Sequence, residues 1–220
     1  MLRCVRGRRR TDLGSNLQDR WSHRHPLKSS GKTLPVRFYG DPVLRQPATR
    51  VIPPDEKLNE LARCLEATMR EAEGVGLAAP QIGVSLQIAV VDLRKVEKRP
   101  SSLEIAGKPV DWRTQMPLFF CNPTITLTRK REDADEGCLS FPNVYGAVRR
   151  SLRIQMDYED LHGKRMSIQA GGLLARAIQH EVDHLQGILF IDRMEPEIRK
   201  SITPALLELV EASKSKVKSS

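Results

Sequence analysis

The stretch Gln179-His180-Glu181-Val182-Asp183-His184-Leu185-Gln186-Gly187 contains His180-Glu181-x-x-His184. On a helix, residues four apart project from one face, one turn apart. Two imidazoles so placed can grip one metal ion, and Glu181 then lies beside a water on that ion, ready to take its proton. The pattern is a signature of metal-dependent hydrolases, although alone it also occurs as ordinary helix surface. The helix extends back to Gly171. Leu173 and Ala177 precede His180 on about the same face, as the wall of an apolar pocket or as plain core packing. The long stem of Arg176 borders them. Asp183 lies off the ligand face and is expected to pack or hydrogen-bond locally.

Around this helix the chain reads as mainly strand. Val36-Arg37-Phe38-Tyr39 is strand-like and is punctuated by Gly40-Asp41-Pro42. Asp55 to about Glu73 has helical spacing of Leu58, Leu61, Ala62, Leu65 and Met69, with acids early. Ser85–Leu93, Pro117–Thr128, Ala147–Tyr158 and Arg165–Ile168 carry β signals, and Leu161-His162-Gly163-Lys164 reads as a hairpin turn. Arg94–Met116, polar with Pro and Gly, is expected to be a long loop. Glu195–Ala212 reads as one final helix. The fold class that follows is α+β, with antiparallel sheets packed around the central helix that bears the metal motif.

The chain has 220 residues and fits one catalytic domain over residues 34–212, between a basic extension (1–33, expected disordered) and a Lys/Ser tail (213–220, expected flexible). Residues 1–32 hold nine Lys/Arg against two Asp, which leaves the body only two units of the net charge of +9. A nucleic-acid-binding face on the folded body is therefore not supported, and no DNA partner is expected. These residues fit a non-functional extension, as from a start codon placed too early, best, with a transit peptide and an RNA-touching arm as alternatives. No apolar run is long enough to cross a bilayer, so no membrane role is expected. The four cysteines are scattered and lack C-x-x-C pairing, which argues for a reducing compartment. Bacterial cytoplasm is the simplest location; a mitochondrion or chloroplast is the alternative if residues 1–32 are a transit peptide.

A hydrolytic metal site needs a third ligand. One protease extension of the motif, H-E-x-x-H-x-x-G-x-x-H, is met at Gly187 but fails at Phe190. A downstream glutamate near position 204 is absent, since Pro204 stands there. Glu195 and Glu197 come too soon, yet stay open. The remaining candidate lies upstream: Cys138, within Glu136-Gly137-Cys138-Leu139-Ser140.

With that segment the chain resembles the peptide deformylase family. The family's three motifs are present in order: Gly74-Val75-Gly76-Leu77-Ala78-Ala79-Pro80-Gln81, Glu136-Gly137-Cys138-Leu139-Ser140, and Gln179-His180-Glu181-Val182-Asp183-His184-Leu185. The match runs from about Val36 to Arg193; the basic extension and the length of Arg94–Met116 depart from it. The resemblance implies a hydrolase that removes the formyl group from the N-terminal formyl-methionine of new proteins. It implies Cys138, His180 and His184 as metal ligands, and attack by a metal-bound water with Glu181 as general base and acid. Two imidazoles and a thiolate suit iron or zinc; the family implies Fe2+, with Zn2+, Ni2+ or Co2+ as alternatives. Gln81 and the Leu139 N–H would hold the oxyanion. Val75 and Gly76 would pair with the peptide as an added strand, and Gly137 would let backbone approach it. Partners are nascent formyl-methionyl polypeptides. Lys214, Lys216 and Lys218 fit a frayed end better than a transient ribosomal RNA contact. A zinc protease, a ribosome-binding module and a structural metal protein are the rivals. Phe190, Glu181 and the want of a fourth ligand speak against them in turn.

Overall fold

The computed structural model describes residues 32–96 and 99–218, with no side chains described after Ser213. The expected disordered extension therefore lies outside the described residues, apart from its last two. The chain forms nine strands: β1 (Gly76–Ala78), β2 (Ile88–Val91), β3 (Ser101–Ile105), β4 (Lys108–Val110), β5 (Leu118–Leu127), β6 (Arg131–Cys138), β7 (Phe141–Ser151), β8 (Arg153–Glu159) and β9 (Arg165–Gly172). Its helices are α1 (Glu56–Glu71), α2 (Leu173–Leu185), α3 (Pro196–Ser201) and α4 (Thr203–Lys218). Seven strands make one sheet in the order β1-β2-β5-β8-β9-β3-β4, and β6 and β7 pair separately. All these pairings are antiparallel.

The helices bury the sheet from both sides. Asp55 caps α1 by accepting a hydrogen bond from the Lys57 N–H at 2.7 Å. Leu58, Leu61, Ala62, Leu65 and Met69 of α1 then pack on Leu77, Ile88 and Val90. The alternate residues Ala78, Ala89 and Val91 face the other way, onto Leu174, Ala175, Ile178 and Val182 of α2. That two-sided burial explains why β2 is an unbroken apolar run and does not alternate. The α2 helix starts at Leu173 and not at Gly171 as expected, because β9 runs to Gly172; this capping glycine has φ +64°, and its missing side chain leaves room for the Pro100 carbonyl. A third cluster joins Phe141, Val144 and Val148 to Phe190, Ile191, Met194 and Leu206, tying the β6–β7 hairpin to the C-terminal helices. Leu65 is fully buried in the α1 interface. Leu65→Ala is expected to cost about 2–5 kcal/mol, read as a lower urea midpoint at unchanged slope.

The α+β class and the central motif-bearing helix are as expected, but several elements differ. Val36–Tyr39 joins no sheet. Its Arg37 N–H donates to Gln81 O at 2.7 Å and its Tyr39 N–H to Ser140 O at 2.9 Å, so it straps two site segments together. Arg94–Met116 is not a loop throughout; it holds β3, β4 and a 3-10 turn at Trp112–Gln115. Its tight turn puts Ala106 and Gly107 at φ of 52° and 73°, and Pro109 is tolerated because β4 is the sheet's edge. Ala147–Tyr158 spans two strands in different sheets. The expected last helix breaks at Ile202, because Pro204 lacks an N–H and suits the first turn of a new helix. That helix continues to Lys218, where a flexible tail from Ser213 was expected.

Candidate metal centre

Two separate bodies supply the ligands. Helix α2 presents His180 and His184 from one face, their ring centroids 5.0 Å apart. Cys138 ends β6, where the pairing register with β7 slips between Gly137 and Cys138. A slip of this kind re-aims a side chain out of the ladder. The Cys138 Sγ lies 3.2 Å from His184 Nε2, and one ligand atom from each of the three residues falls within 4.8 Å of the others. Among the described residues this is the one such cluster of His, Cys, Asp or Glu. Glu195 and Glu197 are exposed at the start of α3 and do not join it. Phe190 is buried in the third core cluster.

The electrostatics favour a cation between these atoms. The His184 ring is held well below its ordinary range by burial and by the adjacent His180. It is therefore a neutral imidazole, the form that ligates metal. Burial opposes protonation of His180, yet Cys138 and Glu136 outweigh it and hold its pKa well above normal. His180 Nδ1 faces Glu136 Oε2 at 3.1 Å, which orients the other ring nitrogen toward the cluster.

Glu136 is the hub behind the ligands. Arg150 grips it with Nε and Nη2, each at 3.0 Å, and Arg176 Nη1 adds a bond of 2.8 Å. Burial pushes its carboxyl up, but the bonds from His180 and Arg150 overcome this and bring it down to about 2. Arg150 also pairs with Asp183, as does Arg193. Asp183 thus bonds locally, as expected. Sequence reasoning missed the Glu136–Arg150–Arg176 network, and it left Arg176 only as a pocket border.

Glu181 is 4% exposed and its Oε2 meets no hydrogen-bond partner. Burial lifts its carboxyl, His180 pulls it back and Glu136 raises it again, leaving it at about 7. The Gln81 amide is held in one orientation: its Oε1 accepts from the Ala78 N–H at 2.9 Å. Its Nε2 points at Ser140 Oγ (3.3 Å) and Cys138 Sγ (3.4 Å).

A cavity of about 520 Å³ opens over this cluster. Gln81, Cys138, Leu139, His180 and Glu181 line it, as do Val75, Gly76, Gly137, Leu173 and Ala177. His184 alone of the expected site residues is not in its wall; it is buried behind, 1% exposed. The structure also places Arg99, Arg176 and Tyr145 in the lining, the last with its ring against Gly137. Val75 and Tyr145 leave an exposed apolar border.

The chain is similar in sequence and fold to known proteins. The family model described as polypeptide deformylase matches residues 33–200. A peptide deformylase of Opitutus terrae is 43% identical over 189 residues, covering 84% of this chain and 97% of that protein. One from Methylacidiphilum infernorum is 44% identical over 173 residues, covering 79% and 90%. Among solved structures, Arabidopsis thaliana peptide deformylase 1B in complex with an inhibitor superposes with a TM-score of 0.71 at 35% identity, covering 83% of this chain and 93% of that one. The Synechococcus elongatus enzyme in complex with actinonin gives 0.64 at 39% identity, covering 82% and 88%.

Proposed function

The chain belongs to the polypeptide deformylase family, and we propose that Cys138, His180 and His184 hold its catalytic metal while Glu181 moves the proton. Members of this family are metalloenzymes that remove the N-formyl group from nascent peptides, and this chain is a hydrolase of that kind. The observation that carries the assignment is the meeting of one thiol and two imidazoles within 4.8 Å at a cavity wall that also bears Glu181. Three protein ligands leave a position open for chemistry, whereas four would close the site.

The ion, when bound, supplies Lewis acidity toward water and the formyl carbonyl. The remaining work falls to the chain's own residues. Glu181 takes a proton from the attacking water and returns one to the departing amine. Its buried carboxyl, pushed up to about 7, can hold or release a proton near neutral pH. Gln81 Nε2, fixed by the Ala78 N–H, and the Leu139 N–H receive the charge that develops on the formyl oxygen. Val75 and Gly76 pair with the peptide backbone, Gly137 lets the chain come close to it, and Leu173 and Ala177 receive the methionine side chain. Backbone pairing reads no side chains, which suits an enzyme that accepts many proteins. The donor set suits iron or zinc alike; Fe2+ is proposed on the resemblance to the family, with Zn2+, Ni2+ or Co2+ as substitutes.

The test is formate release from formyl-Met-Ala-Ser by protein purified without oxygen, with its metal content measured. Chelation should stop release and Fe2+ restore it; a metal-loaded protein that releases no formate sinks the assignment. Gly76→Ala probes the same wall. An ideal Cβ at Gly76 would sit 2.3 Å from Glu181 Oε1 and 2.9 Å from its Cδ, so the buried carboxylate must move. We expect kcat/KM to fall by at least about tenfold with metal retained, since a displacement near 1 Å can cost two decades.

Bacterial cytoplasm is the proposed compartment, and an organelle replaces it if residues 1–32 prove to be cleaved. N-terminal sequencing of the native protein decides. A transient ribosome contact through Lys214, Lys216 and Lys218, whose side chains lie outside the described residues, is a separate proposal. Ribosome co-sedimentation that survives deletion of residues 213–220 removes it.

A further inference from the structure

The ligands come from two bodies that share no continuous secondary structure. Cys138 rides on the β6–β7 hairpin, and both histidines ride on α2. Something must fix the separation between hairpin and helix closely enough for one ion to span it.

Arg176 sits on α2 one turn before His180, is 6% exposed, and reaches across this seam. Its Nη2 donates to Glu132 O at 2.8 Å. Its Nη1 donates to Val148 O and to Glu136 Oε1, each at 2.8 Å, with a longer contact to Ala134 O at 3.4 Å. Glu132 and Ala134 belong to β6, and Val148 to β7, where Ala134 and Val148 are directly opposed partners. One guanidinium therefore binds main-chain carbonyls on both strands of the hairpin and the carboxylate of Glu136, two residues before Cys138. Only a planar, forked donor can hold several acceptors at fixed angles in this way. Both Nη groups already serve protein acceptors, so the side chain is not poised for a substrate carboxylate, although its stem borders the cavity.

We propose that Arg176 is a positioning residue for the metal centre, setting the hairpin-to-helix distance at which the Cys138 sulfur meets the two imidazoles. The proposal rests on the ligand assignment above. Glu136 transmits part of the effect: Arg176 holds its Oε1 while His180 Nδ1 holds its Oε2. Arg150–Asp183 and Gln179–Ser151 also cross this seam, so loss of the Arg176 clamp keeps the hairpin docked but loosens its distance from the helix and the orientation of His180. Outer partners of metal ligands commonly contribute 10–100-fold to affinity.

The test compares full-length wild type, Arg176→Met and Arg176→Lys loaded with Co2+ without oxygen. Affinity is read by chelator competition, ligation by the thiolate-to-cobalt charge-transfer band and the d–d bands, and folding by circular dichroism. For Arg176→Met, which keeps the stem's bulk, Co2+ affinity should drop about 10–100-fold with shifted d–d bands. KM for formyl-Met-Ala-Ser should change less than kcat. Arg176→Lys, with charge but no fork, should fall between the two. Wild-type affinity and bands in folded Arg176→Met overturn the proposal, whatever its melting point. If that variant does not fold, wild-type affinity and bands in Arg176→Lys overturn it equally. A wild-type protein without the charge-transfer band would instead overturn the Cys138 ligation beneath it.

Discussion

Glu181→Gln should lower kcat for formyl-Met-Ala-Ser by about 10²–10⁴-fold, the usual range for a general acid–base, with metal content and fold unchanged. The isostere keeps the shape of a side chain that is 4% exposed and removes only its ability to accept and return a proton. The carboxyl sits within a turn of both imidazoles yet belongs to neither: its Oε2 has no protein partner. A buried acceptor without a partner costs about 1–3 kcal/mol, and chains retain such a cost where the group does chemistry. The amide can still hydrogen-bond to a water, so KM should move little, whereas a ground-state binding role would raise KM at constant kcat. The two readouts are steady-state kinetics and metal analysis on the same sample. A kcat within threefold of wild type at full metal loading removes Glu181 from proton transfer.

The parts of the site that were legible in sequence are those whose chemistry is local. His180 and His184 fall four apart on a segment with clear helical periodicity, so their common face could be read directly. Cys138 could not be joined to them by any period. It lies on another element, and the family's motif order made the link that spacing could not. The Glu136–Arg150–Arg176 network was hidden for a different reason: a buried charge and a solvated one look alike in a sequence, and only packing separates them. Strand β6 was missed on the same ground. Its Arg-Glu-Asp-Ala-Asp-Glu run shows no apolar alternation, but Asp133 pairs with Arg149 directly across the ladder, so a cross-strand charge pair stands in for it. The β3–β4 hairpin escaped because Ala106 takes a left-handed turn conformation that a sequence rarely assigns to alanine. Pro204, by contrast, was a visible break that the helical periodicity around it overrode.

Cys138→Ala should abolish activity at ordinary metal concentrations and leave the fold in place. In the proposed site the sulfur is the one donor on the hairpin, and as a thiolate on the metal it would be the one anionic donor of the three. Without it the ion faces two neutral nitrogens on one helical turn, a chelate with too few donors to hold iron or zinc against water. The loss therefore appears as affinity before it appears as rate. Metal should be stripped by a chelator concentration that leaves wild type loaded, and a large excess of Co2+ should restore only a small fraction of turnover without the thiolate band. The scaffold should not follow the metal. Glu136, Arg150, Arg176 and Asp183 bond to one another without the sulfur, and Phe141 packs edge-on against Phe190 in the buried core beside them. Truncating this half-buried thiol at the cavity wall should shift the urea midpoint of the metal-free protein only slightly. The two measurements separate the thiol's roles: lost affinity with a preserved midpoint makes it a ligand, whereas preserved affinity with a lowered midpoint makes it core packing. The second outcome would dissolve the metal centre as assigned, since no other group of His, Cys, Asp or Glu among the described residues converges on the two histidines.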